Sequence, residues 1–223
     1  NMAFSIGTPA QNKQNPGSSN IVTFNFAMNS GTDTLLVVAI EVINTKNITS
    51  VTYDGVAMTS RLNYSSSQLS ARYGFWELEN PSGGTNEIKI TFNTNVNNDV
   101  LTEVQGFTGA VGGGVVGNND VANSPHSRTR TGITAGSLMM VQAVATTTHA
   151  SNAMTVDGVT IPSQAQSGQR SQRVGCSTIP LAAGSVVVVT KSSATWKKPT
   201  NSTLEIKVAS STPTNTGNFF LCM

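Results

Sequence analysis

Charge is what this sequence has least of. Only 11% of its 223 residues are Asp, Glu, Lys or Arg, against roughly a quarter in an ordinary soluble domain. That scarcity, with Asn, Ser and Thr making up about a third of the chain, excludes a coiled coil or charge-laced helical bundle. Two histidines, His126 and His149, both in Ser/Thr-rich stretches, leave little from which to build a His-dependent triad. Two cysteines, Cys176 and Cys222, allow at most one intramolecular disulfide, too few for a disulfide scaffold. There is no Cys-x-x-Cys, His-x-His or Asp-x-Asp-x-Asp-Gly stretch, so no metal is expected. Gly112-Gly113-Gly114 lacks the Lys-Ser/Thr of a phosphate loop, so no nucleotide or other cofactor is expected. The longest aliphatic run, Leu35 to Ile40, is far short of the roughly 20 residues that span a bilayer. A soluble chain with no membrane partner is the expectation.

What is present is punctuated alternation. Val22, Phe24 and Phe26 recur every second residue, as do Ile88, Ile90 and Phe92, and Leu204, Ile206 and Val208. That period predicts strands with one wet face. Leu35 to Val42 is apolar on both faces until Glu41, so a central strand covered on both sides is expected there. Asp54-Gly55 and Asp157-Gly158, each between short β-prone runs, predict two-residue hairpins whose central positions need positive φ. No window shows helical spacing with a cap and a stop.

Sliding the chain over itself exposes a repeat. A shift of 103 places Leu35-Val38 on Leu138-Val141 and Asp54-Gly55-Val56 on Asp157-Gly158-Val159. A shift of 101 places Arg72-Tyr73-Gly74 on Arg173-Val174-Gly175, and Pro81–Thr91 then falls on Pro180–Thr190 and Glu103-Val104 on Glu205-Ile206. The expected fold is therefore all-β, an antiparallel β-sandwich of jelly-roll or Ig-like type built from two related halves that touch. The expected organisation is an N-terminal arm (1–19), a first half (20–110), a Gly-rich connector (111–125), a second half (126–210) and a C-terminal arm (211–223). Net charge is +2, divided as −3 over residues 1–115 and +5 over 116–223. The basic residues are scattered with little aromatic interleaving, so no nucleic-acid partner is expected.

Leu35–Val42, Val51-Thr-Tyr-Asp-Gly-Val-Ala-Met-Thr59, Phe75-Trp-Glu-Leu-Glu-Asn-Pro81, Val104-Gln-Gly-Phe-Thr-Gly109 and Ala135-Gly-Ser-Leu138 occur in that order. Together they resemble a β-sandwich module of phage virion proteins, of capsid surface or tail, that is also seen in bacterial surface proteins. The resemblance covers about residues 30 to 210, and its motifs are packing and turn residues. Asp54 stands where that module often has Gly, a change that a tight hairpin tolerates.

The resemblance implies a non-enzymatic structural protein on the outer surface of a capsid or tail, located on the virion. Its partners would be other copies of itself and neighbouring virion proteins. The apolar Phe219-Phe220-Leu221 after a polar tail either folds back on its own domain or plugs a neighbour, and supplies the candidate assembly contacts. The alternative is a carbohydrate-binding or adhesin module whose partners are host-surface glycans. Its platform would be Tyr53, Tyr73 and Trp76, rings able to stack on a sugar, with Glu77 and Glu79, two apart on one strand face, to fix hydroxyls. The same two carboxylates are the minimum for glycoside hydrolysis. Against both, a solvated strand face explains Glu77 and Glu79, and a sandwich core explains the rings.

Overall fold

The computed structural model describes residues 4–29, 31–44, 46–118, 126–145, 154–167, 171–190 and 200–209. Among them there are strands and turns and no helix. The first half contains β1 (Ser5–Ile6), β2 (Ala10–Gln14), β3 (Ile21–Met28), β4 (Thr34–Ile43), β5 (Ile48–Tyr53), β6 (Val56–Ala57), β7 (Thr59–Ser66), β8 (Ala71–Glu79), β9 (Gly84–Phe92) and β10 (Val100–Thr108). The second contains β11 (Ala110–Val111), β12 (Val116–Gly117), β13 (His126–Ile133), β14 (Leu138–Ala145), β15 (Met154–Val156), β16 (Val159–Thr160), β17 (Ser163–Ser167), β18 (Ser171–Cys176), β19 (Gly184–Thr190) and β20 (Ser202–Val208).

Each half folds into two antiparallel sheets with one strand order. In the first, β10-β4-β8-β7 carries β1 and β2 on the free side of β10, and β3-β9-β5-β6 forms the second sheet. In the second, β20-β14-β18-β17 carries β11 and β12 on β20, and β13-β19-β15-β16 completes it. Every strand thus has a counterpart ten places on, and the two Asp-Gly hairpins occupy equivalent places. Asp54 and Gly55 have φ of 52° and 75°, and Asp157 and Gly158 of 48° and 78°. Both central positions are left-handed, as a two-residue hairpin matched to strand twist requires.

Strand β4 explains how the four sheets stack. Its ten residues are all buried, and successive side chains point to opposite faces. Leu36, Val38, Ile40 and Val42 pack with Val22, Phe26, Ile88 and Ile90 of the outer sheet. Leu35, Val37 and Ala39 pack with Leu138, Met140, Val174, Leu204 and Ile206 of the other half. On the far face of β14, Met139, Val141 and Ala143 pack with Met154, Val156, Val186 and Val188. The order of layers is outer, inner, inner, outer, with an apolar seam between the inner sheets. At that seam the buried Gln142 amide donates to the Ile40 carbonyl (3.0 Å) and to Gln172 Oε1 (2.9 Å).

Several expectations need correction. The segment read as an N-terminal arm supplies β1 and β2, and the segment read as a connector supplies β12 and, with Ala110 of the first half, β11, all edge strands of the inner sheets. These strands are too polar or too short for alternation to reveal them, and what they contribute is ladder hydrogen bonds. Strand β20 has no wet face: Glu205 is buried at 1% exposure. The repeat also slips after the hairpins. Gly84 and Gly184, both at positive φ, open β9 and β19, so Ile88 corresponds to buried Val188, and not to half-exposed Val187 as the sequence alignment had it. A one-residue slip of that kind turns every side chain to the other face. Likewise Val38 pairs with Trp76 and its counterpart Val141 with Gly175, which moves Gly175 from Gly74 to Trp76. The C-terminal arm lies outside the described residues apart from its approach at Ala209.

The seam generates a prediction from two adjacent leucines. Leu35 faces the seam and Leu36 faces the outer sheet, and both are fully buried. Leu35→Ala and Leu36→Ala should each cost about 2–5 kcal/mol in denaturant unfolding. A near-neutral Leu35→Ala would mean that the halves do not pack on each other.

Candidate functional site

The five residues of the sugar-platform reading do not form a platform. Tyr53 and Tyr73 are fully buried and Trp76 is 2% exposed. The Tyr53 hydroxyl shares its proton between the carbonyls of Phe26 (3.3 Å) and Gly84 (3.2 Å), tying β5 to β3 and β9 of the outer sheet. Trp76 sits in the first sandwich core, and Tyr73 tilts against Tyr64 with centroids 5.6 Å apart. A buried ring has no face to offer a sugar, because packing has already claimed the surface that stacking would use.

Glu77 and Glu79 do share one face of β8, with Glu77 buried on it and Glu79, at the strand's end, exposed. Glu77 Oε1 pairs with Arg61 Nη1 at 2.7 Å and accepts the Gly113 amide at 2.9 Å, while Glu79 Oε1 accepts the Gly112 amide at 2.7 Å. Arg61 Nη2 donates onward to the Gly114 carbonyl at 2.6 Å. The glycine run is therefore a docked strap across the edge of the seam. A Cβ on Gly112 would stand 2.7 Å from Glu77 Oε1, so only a residue without one lets the backbone come close enough to donate. Arg61 owes its place to a bulge: the pairing of β7 with β8 shifts between Ser60 and Leu62, leaving Arg61 as the extra residue.

Two other acids, Glu103 and Glu205, drew attention in the sequence only as a repeat match, and the strand registers undo it: Glu103 corresponds to Ser202, and Glu205 to Gly106. Glu205 accepts the amides of Val115 (2.8 Å) and Thr134 (2.7 Å). Burial alone would raise its pKa, but these bonds outweigh burial and hold it below the ordinary carboxylate value. Glu103, 2% exposed, has a 3.2 Å bond from the Gln11 amide, and burial pushes it up to about 8. It lines a cavity of about 160 Å³ at the other edge of the seam, with Ile6, Gln105, Ser163, Val174 and Cys176. The Cys176 thiol is pushed up to about 12 by burial and by Glu103, which makes it a poor nucleophile. In the second half the Arg130 guanidinium donates to Thr203 Oγ1 (2.7 Å) and the Asn201 carbonyl (2.8 Å), pinning β13 of the outer sheet onto the inner one.

An opening of about 450 Å³ lies between the β1–β2 segment and β3, where Pro9, Ala10, Phe26, Met28 and Phe107 meet Asn25 and Asn29. Its lining is neutral. The exposed large apolar residues include Val56 and Val159, counterparts one place after the two Asp-Gly turns, and Ile179 beside the second. Phe219, Phe220 and Leu221 lie outside the described residues, as do His149 and Cys222. Compared with protein-family models and with curated proteins, the chain matches none.

Removing the partner from a mostly buried pair leaves an uncompensated charge, so Arg61→Ala should cost about 2–3 kcal/mol, and a double-mutant cycle with Glu77→Gln should show coupling above about 1 kcal/mol. Additive losses would show that the pair does not hold the strap. For Glu103 the folded pKa lies above the unfolded one, near 4.5. As pH rises, the unfolded chain releases that proton first, so this carboxyl erodes stability from about pH 4.5 to about pH 8 and no further. Glu103→Gln should therefore match the parent near pH 4 and exceed it by a few kcal/mol, on the order of 1.4 per pKa unit, at pH 8. Parallel stability curves would contradict the assignment.

Proposed function

We propose that the protein is a non-enzymatic structural component of a phage particle, carried on the outer surface of the capsid or tail. The observation that carries this reading is where the buried ionisable groups go. Arg61 with Glu77, Glu205 and Arg130 each join one layer to the next. Charge in this chain is scarce, and these four groups, though not the buried Glu41 and Glu103, fasten sheets together, which suits a rigid block whose task is mechanical. The surface left over includes single exposed apolar residues, Val56 and Val159 at the hairpin tips and Ile21 and Val187 on the outer sheets. Such tips, together with the Phe219–Leu221 segment, give small contacts that become strong only when repeated around a symmetric particle. The opposed charges of the two halves favour head-to-tail contact. The carbohydrate-binding alternative is weakened by the burial of its aromatic platform.

Deletion of residues 219–223 tests the reading. The truncated chain should unfold like the parent but fail to incorporate into particles, as measured by its stoichiometry in purified virions. Normal incorporation would remove these residues from assembly, and binding of the intact chain to a glycan array would favour the adhesin reading instead.

A further inference from the structure

The two edges of the seam are built from counterpart residues but are filled differently. At the first edge the bulge supplies Arg61, whose guanidinium bridges Glu77 and the Gly114 carbonyl. At the second edge β17 pairs with β18 without a register shift, so no residue corresponds to Arg61. The pairing of β4 with β8, and of β14 with β18, makes Cys176 the counterpart of Glu77 and Thr178 that of Glu79. The β1–β2 segment stands where the glycine strap stands at the first edge. What remains in the absence of an arginine is the cavity of about 160 Å³ lined by Glu103, Gln105, Ser163, Gln164 and Cys176.

We propose that this cavity is a binding site for a guanidinium group, with the Glu103 carboxylate as its counter-charge. The space is one that the chain's own other edge fills with a guanidinium, and a carboxyl is already buried against it. A planar cation suits a slot between two sheets better than a compact, strongly hydrated ammonium, because a guanidinium gives up its hydration more readily. The inference does not depend on the virion reading, since it concerns the isolated chain.

Glu103 is surrounded by groups that let it act alone. Its register neighbours are Gln11 on β2 and Ala39 on β4. One pair along the same face are Lys13, 3.3 Å from Asp99, and Glu41 on β4. From β18 it meets the Cys176 thiol, which stays protonated up to about pH 12. With Glu103 at about 8, binding of a cation should be up to about thirtyfold tighter at pH 9.0 than at pH 6.5, because at the lower pH the ligand must first displace a proton.

The probe is methylguanidinium, read as a shift in the thermal midpoint of the full chain and as a titration of amide resonances lining the cavity. Tetramethylammonium at equal concentration serves as the ionic-strength control. Stabilisation by methylguanidinium over the control at pH 9.0, weaker at pH 6.5 and lost in Glu103→Gln, is the expected result. Nα-acetylarginine methylamide separates the sources: a matching response assigns the site to an arginine side chain, and no response assigns it to a free cation. Gln164→Arg, at an exposed position on the rim, should supply the group internally, raising the thermal midpoint at pH 9.0 and abolishing the response. Equal effects of methylguanidinium and tetramethylammonium at both pH values, or an unchanged response in Glu103→Gln or Gln164→Arg, would overturn the proposal.

Discussion

Both inner sheets are apolar on both faces, and the rest of the structure answers to that constraint. A single sandwich buries one face of each sheet and leaves the other wet. Here β4 and β14 have no face that water can take, because Leu35, Val37 and Ala39 are as apolar as Leu36, Val38 and Ile40. Each half alone would expose a large apolar surface, of a size that marks an interaction site. Duplication removes the problem, since the second copy brings an equivalent face and the two cover each other. The outer sheets then need only one dry face apiece, and their strands carry the alternation of an ordinary antiparallel sheet.

The joints follow from the same arrangement. Two sheets in apolar contact could slide, and directional bonds at the margins fix their register. One margin is closed by Arg61, Glu77, Glu79 and the glycine strap, while the other keeps a cavity with a buried carboxyl. This difference between counterpart edges goes with one bulged residue and with Cys176 and Thr178 standing where the first half has Glu77 and Glu79. It shows how a duplicated fold acquires distinct features without changing its strand order.

Much of the fold was legible in the sequence, for reasons that particular residues make plain. Leu35 to Val42 announced a strand covered on both sides because it has no polar phase. The Asp-Gly pairs announced their hairpins because few other dipeptides occupy two left-handed positions at low cost. Polar edge strands such as β2 (AQNKQ) were not legible, since their contribution is backbone pairing rather than side-chain burial. The slip between Ile88 and Val187 was hidden because Val repeats at every position from 186 to 189, so alternation there carries no phase. The roles of Glu77 and Glu103 were illegible for a different reason. A carboxylate on an alternating strand reads as solvent-facing, and only the packing of one half on the other reveals that the face is an interface.

A block held by a buried seam should behave as one cooperative unit. Scanning calorimetry of the full chain measures it directly. The account predicts a single transition whose calorimetric and van't Hoff enthalpies agree, because neither half can keep its inner sheet dry without the other. Two separable transitions, each persisting when the other half is already unfolded, would contradict it.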